Sequence, residues 1–442
     1  MALFLLLGSK CRSDSPAAGD RETLLAVKHD WGNPSQLASW DPAAAADHCT
    51  WKGVKCATSR GFVRELSLHN LNLTGSVPAS VRALSNLTRL DLSYNNLTGA
   101  FPGAALYACD QLRFLDISEN QFSGPLPPDI DGLSSAMEHL NLSVNDFSGT
   151  VPAAVARLPA LKSLLLDNNR FTGTYPAAKI SELAELEWLT LAYNAFSTAP
   201  VPLEFAKLTK LTYLWMDKIN LTGEIPEAFV SLTELTMLSM YSNNLTGSIP
   251  AWVWQHRKLE HVYLSYNGLS GELARNFTAV NLIELDVSSN KLTGSIPAWV
   301  WQHKKLEYVY LSNNSLTGEL AHNITTVSLS DLDLSSNNLT GSIPARDHLP
   351  VSWYRGSNRF TARNEGREGQ NLQVPQAEIF VLSFLDWKLE TELIQFFLVY
   401  YIKHVSRQYN CWLSFILYDE YAFPGWTCER CSTATRNRLQ VC

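Results

Sequence analysis

One pattern dominates this chain: Leu-x-Leu-x-x-Asn-x-Leu-x-Gly, returning from residue 66 to residue 344. Clear copies run Leu90-Asp-Leu92-Ser-Tyr-Asn95-Asn-Leu97-Thr-Gly99 and Leu332-Asp-Leu334-Ser-Ser-Asn337-Asn-Leu339-Thr-Gly341. The asparagine slot falls at Asn95, Asn120, Asn145, Asn169, Asn194, Asn243, Asn267, Asn290, Asn314 and Asn337, with Leu71 and Ile219 in the same slot of two further units. Those ten and two make twelve units with a period of about 24 residues. Such a chain does not fold around one compact core. Each unit packs on its neighbours, and the array grows in one dimension.

The residue types explain the fold class. Leu-x-Leu is a short strand whose leucines point inward while the x residues face the other side of the sheet. The asparagine amide can satisfy backbone groups of neighbouring turns, which a buried irregular segment would leave unpaired. The glycine permits the tight turn that follows. The expected architecture is an α/β, right-handed leucine-rich-repeat solenoid with a parallel sheet on its concave face. The sixth unit, ending Phe196-Ser-Thr-Ala-Pro-Val-Pro202, lacks the glycine and should bulge. Residues 245–291 recur almost verbatim as 292–338, an internal duplication of two units.

A solenoid needs its first core face covered. Residues 20–61 have the composition for that cap: Glu22-Thr-Leu-Leu-Ala-Val-Lys28 is helix-like, and Trp31, Leu37, Trp40 and Trp51 are bulky. Cys49 and Cys56 are expected to form a disulfide there, since no His/Cys pair completes a metal site at the right spacing. Residues 1–19 read as signal peptide and leader through the apolar run Met1–Gly8. Repeats occupy 62–344. Residues 345–442 show no Leu-x-Leu unit and are expected to form a weakly ordered tail that does not extend the solenoid. The longest uncharged pieces of that tail are too short to span a membrane. Its Cys428-x-x-Cys431 stands without a second pair.

The net charge of −7 argues against a nucleic-acid footprint, which needs a dense basic face. No Gly-x-Ser-x-Gly, His-Glu-x-x-His, phosphate loop or kinase signature occurs, so neither catalysis nor a cofactor or metal is expected. Sequons at Asn72, Asn86, Asn96, Asn141, Asn220, Asn244, Asn276, Asn313, Asn323 and Asn338 are candidate glycan acceptors, several of them by-products of Asn-Leu-Thr-Gly. The outward strand positions collect aromatic residues: Trp188, Tyr193, Tyr213, Trp215, Tyr241, His261, Tyr263, Tyr266, Tyr308 and Tyr310. Exposed aromatic patches mark binding surfaces. Trp215 and Tyr263 lead this set by their middle strand position. Five strand steps cover roughly 24 Å, which suits an extended peptide of roughly seven residues.

The signature Leu-Thr-Gly-x-Ile-Pro, at Leu221–Pro226, Leu245–Pro250, Leu292–Pro297 and Leu339–Pro344, resembles the plant class of these repeats. The cap resembles that family's N-terminal domain through Leu37-Ala-Ser-Trp40 and Cys49-x-Trp51-x-Gly53-Val54-x-Cys56. Together they resemble plant receptor-like kinases of the HAESA-like, peptide-hormone-sensing type. The resemblance implies a peptide-sensing ectodomain at the apoplast or the outer face of the plasma membrane, with a secreted peptide or protein ligand as its partner. It also implies a co-receptor kinase as second partner, with a membrane helix and kinase that this sequence does not contain. Where such receptors carry an Arg-x-Arg pair for a peptide carboxylate, this chain has Glu284 and Asp286, or Asp331 and Asp333, which would repel that group. Two rival readings stand beside it: a secreted inhibitor of pathogen wall-degrading enzymes, and a non-functional truncated product whose tail comes from an intron or shifted frame.

Overall fold

A computed structural model describes residues 19–43, 47–57, 61–320, 328–341, 352–354 and 358. The chain divides into residues 1–365 and 366–442, and every described residue belongs to the first unit. The expected leader and Cys428-x-x-Cys431 lie outside the described residues.

The cap begins with a helix, Asp20–Asp30, which buries Leu24 and Val27. It closes over Trp40 and Trp51, whose rings stack at 6.0 Å. The Trp40 indole N–H donates to the Lys52 carbonyl at 2.9 Å, so the buried ring keeps its polar atom satisfied. Cys49 and Cys56 are joined as expected, with Cα atoms 5.4 Å apart. The strand Val54–Cys56 pairs antiparallel with Val63–Ser67 and so starts the main sheet. Every later neighbour in that sheet is parallel.

Among the described residues the main sheet has fourteen strands in strict chain order. From the cap it runs through Arg89–Asp91, Phe114–Asp116, His139–Asn141 and Ser163–Leu165 to Trp188–Thr190, Tyr213–Trp215 and Met237–Ser239. It continues through His261–Tyr263, Glu284–Asp286, Tyr308–Tyr310 and Asp331–Asp333 to Ser352–Tyr354. The inward-facing strand leucines are buried, each contributing about 1.5–3 kcal/mol of burial. Behind them Phe122, Phe147, Phe171 and Phe196 stack one per turn, 6.1 to 6.5 Å apart.

Helix is scarce. The far side of the array is built mostly of short 3₁₀ turns such as Ala153–Arg157 and Glu227–Ser231, each entered from a proline. The fixed φ of proline sets the direction of these turns.

The slot asparagines bind as their chemistry suggested. Asn145 Oδ1 accepts the Phe122 N–H at 3.0 Å, and its Nδ2 donates to the carbonyls of Ile117, Leu142 and Ser143. Where Leu71 and Ile219 replace the amide, the next unit's asparagine compensates. Asn95 accepts the N–H groups of Leu71 and Leu73, and Asn243 those of Ile219 and Leu221.

Two structural findings concern irregular segments. The expected bulge is present: the second, outer ladder of six strands ends at Ala195–Phe196, and a new one begins at Ala199–Pro200. The expectation that nothing after residue 344 joins the solenoid is corrected. Ser352–Tyr354 continues the main sheet, with Leu332 opposite Trp353. Asn358 fills the asparagine slot, accepting the Leu339 N–H at 3.1 Å and donating to the Leu334 carbonyl at 2.7 Å. A thirteenth, degenerate unit therefore follows the twelve.

Candidate ligand-binding face

The sheet register arranges the outward residues in rows that cross the strands. One row is Trp188, Tyr213, Met237, His261, Glu284, Tyr308 and Asp331. The next is Thr190, Trp215, Ser239, Tyr263, Asp286, Tyr310 and Asp333. Tyr193 and Tyr266 sit farther along their turns, both with positive φ, at 54° and 55°. The structure thus brings the sequence-selected aromatics onto one face.

Contacts within the face are specific. Trp188 and Tyr213 stack at 4.6 Å. Tyr241 and Tyr266 meet edge to face at 5.4 Å. Tyr266 is the most open of the set, 57 % exposed. Tyr263 Oη donates to Glu284 at 2.6 Å, and Tyr310 Oη donates to Asp331 at 3.2 Å. Burial, and then the neighbouring carboxylates, push both phenols well above their ordinary range.

Trp215 is a correction. It is only 5 % exposed, so it cannot supply the open contact area expected of it. Its register neighbours Thr190 and Ser239 are small and leave room for the indole to settle against the sheet. Its N–H donates to Asp217 at 2.5 Å, and Tyr193 closes over it edge to face at 5.9 Å. Trp215 supports the face from beneath.

Sequence reading missed three further contributors. Asp217 is buried beneath the face and accepts from Ser239 Oγ at 2.5 Å and from the Tyr241 N–H at 2.7 Å. Burial pushes its carboxyl up to about 7. Lys218 places its ammonium over two rings, 5.1 Å from Tyr193 and 5.5 Å from Tyr241. The first row also extends toward the cap, where Phe114 and His139 stack at 4.3 Å. The signal was present, since both occupy the strand position that Trp188 occupies in its own unit.

Most described sequons fit the surface. Asn72, Asn220, Asn244, Asn276, Asn313 and Asn338 are exposed, and Asn86 and Asn96 are half-buried. Asn141 is a second correction: it is 6 % exposed and binds Asp116 and Ser143 through its amide, so it has no room for a glycan in this fold. Asn323 lies outside the described residues. His48 approaches Cys49 and Cys56, but the disulfide occupies both sulfurs.

Comparison with known proteins matches this geometry. Residues 17–57 match the leucine-rich-repeat N-terminal domain, and residues 63–122, 281–302, 305–326 and 328–346 match leucine-rich repeats. The chain is 40 % identical over 96 residues to the leucine-rich repeat receptor protein kinase EMS1 of Arabidopsis thaliana, covering 21 % of this chain and 8 % of that protein. The crystal structure of the Arabidopsis receptor kinase HAESA, in complex with the peptide hormone IDA and the co-receptor SERK1, superposes with a TM-score of 0.70. Identity there is 31 %, over 77 % of this chain and 62 % of that one. The chain is a leucine-rich-repeat protein homologous to plant receptor kinases.

These matches fall on ectodomain repeats, and no kinase-domain family matches this chain. The chain spans under two thirds of these receptor kinases' own length. An extracellular or secretory location accords with such homologues. Polygalacturonase inhibitor 2 of Arabidopsis thaliana is also similar, 37 % identical over 107 residues, covering 22 % of this chain and 32 % of that protein. Among the described residues no helix is long and apolar enough to cross a membrane.

Proposed function

We propose that this chain is the ligand-binding ectodomain region of a plant receptor kinase, acting at the apoplast or the outer face of the plasma membrane. Its ligand is an extended secreted peptide laid across the strands from Trp188 to Tyr310. The observation that carries this reading is the row structure: Trp188, Tyr213, His261, Tyr263, Tyr308 and Tyr310 come from four different turns yet share two lines on one face. Tyr and Trp offer large contact area at low conformational cost. A peptide running along these lines advances about 4.8 Å per strand crossed, or about one and a half residues. The HAESA complex, which holds both a peptide hormone and a co-receptor, supports a co-receptor kinase as second partner.

The test is selection of a displayed library of random twelve-residue peptides on the secreted, glycosylated protein. Selected peptides are then titrated against the wild type, Tyr266→Ala and Tyr308→Ala. Each substitution should weaken binding roughly tenfold or more, the scale of an interface anchor. Equal affinity for all three proteins would overturn the reading. The similarity to a polygalacturonase inhibitor favours one rival, inhibition of a wall-degrading enzyme, and loss of fungal polygalacturonase activity on adding this protein would establish it.

A further inference from the structure

The first outward row contains an interruption. Phe114 and His139 stack at 4.3 Å with planes 11° apart, and Trp188 and Tyr213 stack at 4.6 Å with planes 8° apart. Between the two pairs the row holds a serine, since Ser163 is opposite His139 on one side and Trp188 on the other. A cleft of about 280 Å³ opens here, with Phe114, His139, Ser163 and Trp188 in its lining.

The width of the interval defines what fits it. Neighbouring strands lie about 4.8 Å apart, so His139 and Trp188 stand about 9.6 Å apart across Ser163. A ring placed midway lies about 4.8 Å from each wall, close to the spacing at which rings already stack on either side.

The rim sets the charge. Arg113, Glu138, Lys162 and Glu187 border the cleft, two cations against two anions. Glu138 is already held by Arg113 at 3.0 Å and Lys162 at 2.9 Å. The wall at His139 is uncharged, because burial and the nearby Arg89 cation push its imidazole down to about 4. A neutral flat group meets no opposing field, while a cation finds no free carboxylate pair to receive it.

We propose that the interval between His139 and Trp188, floored by Ser163, is a stacking slot that receives one aromatic side chain of a bound peptide. This rests on the peptide reading for its natural occupant and extends the bound path toward the cap by two strands. The slot itself is tested without any peptide.

The protein is produced with 5-fluorotryptophan, and the Trp188 resonance is assigned as the one missing from Trp188→Phe. N-acetyl-phenylalaninamide is then titrated into the wild type and into Ser163→Phe, which fills the gap. In the wild type the Trp188 fluorine signal should shift saturably. In Ser163→Phe that shift should fall roughly fivefold or more, the scale of losing a ring stack, while the other tryptophan signals keep their positions and show the fold intact. If Ser163→Phe disturbs those signals, Ser163→Leu blocks the same space with a smaller group. An unmoved Trp188 signal in the wild type, or equal shifts in wild type and filled variants, overturns the slot. A larger shift with N-acetyl-argininamide than with the phenylalanine probe also overturns it, by assigning the cleft to guanidinium. The peptide reading fails separately, in the titrations with Tyr266→Ala and Tyr308→Ala.

Discussion

Asp217 shows how much of this face is decided beneath its surface. Its carboxyl accepts three hydrogen bonds, from Trp215, Ser239 and the Tyr241 backbone, and these favour the charged form. Burial outweighs them and holds the group at about 7; Asp116 and Asp167 are raised to about 6 for the same reason. An unfolded aspartate titrates near 3.9, so between about pH 4 and 7 these three carboxyls bind more protons in the fold than in the unfolded chain. Their contribution to stability therefore falls as pH rises through that window. Asp217→Asn, which imitates the protonated carboxyl, should remove its share, so that the variant's Tm gains on the wild type's between pH 4 and 7; a constant difference would show that Asp217 is charged in the fold throughout. None of this was legible in the sequence. A tryptophan at an outward strand position reads as exposed, and only the small side chains opposite Trp215, one unit away in either direction, reveal that the ring lies down onto Asp217. The left-handed turn position is similarly hidden: Val144 adopts φ 53° where Asn168 and Asn313 suit the conformation better.

At the scale of the repeat, the asparagine slot does most to keep neighbouring turns in step. Asn145 satisfies one backbone N–H and three carbonyls of two successive units. Asn145→Ala should cost about 1–3 kcal/mol by leaving the buried Phe122 N–H without its acceptor, read as a lowered urea midpoint with unchanged m-value. A change within error would mean that water replaces the amide. The slot also explains the outcome at residues 352–358. Trp353 stands where a leucine belongs and Arg355 where the second leucine belongs, so the Leu-x-Leu pattern vanishes there. Asn358 survives at the right distance and continues the bonding. The duplicated block teaches the complementary point. Ala251–Gln255 forms an α-helical turn, whereas its copy at Ala298–Trp301 is a 3₁₀ turn. The neighbours differ: Trp252 donates to Pro226 of a proline-led turn, while Trp299 donates to Ala274 and stacks on Phe277 at 4.0 Å.

Across the whole molecule, the fold class, the cap and the Cys49–Cys56 bridge were readable because each follows from a period or a spacing within one stretch of chain. The binding face was readable only in outline, because a row is made of residues one repeat apart and its quality depends on which of them are small. Trp215 left the exposed set for that reason, and the cleft over Ser163 entered for the same one. The charge along the face is uneven as well. The strands from His261–Tyr263 to Asp331–Asp333 carry Glu284, Asp286, Asp331 and Asp333 and no lysine or arginine, so the cap-distal end suits a ligand's amino terminus or neutral side chains better than its carboxylate. The central claim is that an extended peptide lies along the aromatic rows. The most direct measurement is photo-crosslinking of a library-selected peptide carrying benzoyl-phenylalanine, with the adducts mapped by mass spectrometry. The account predicts adducts on the outward residues of the strands from Trp188–Thr190 to Tyr308–Tyr310. Adducts concentrated on the opposite turns, such as Leu203–Lys207 or Glu227–Ser231, would contradict it.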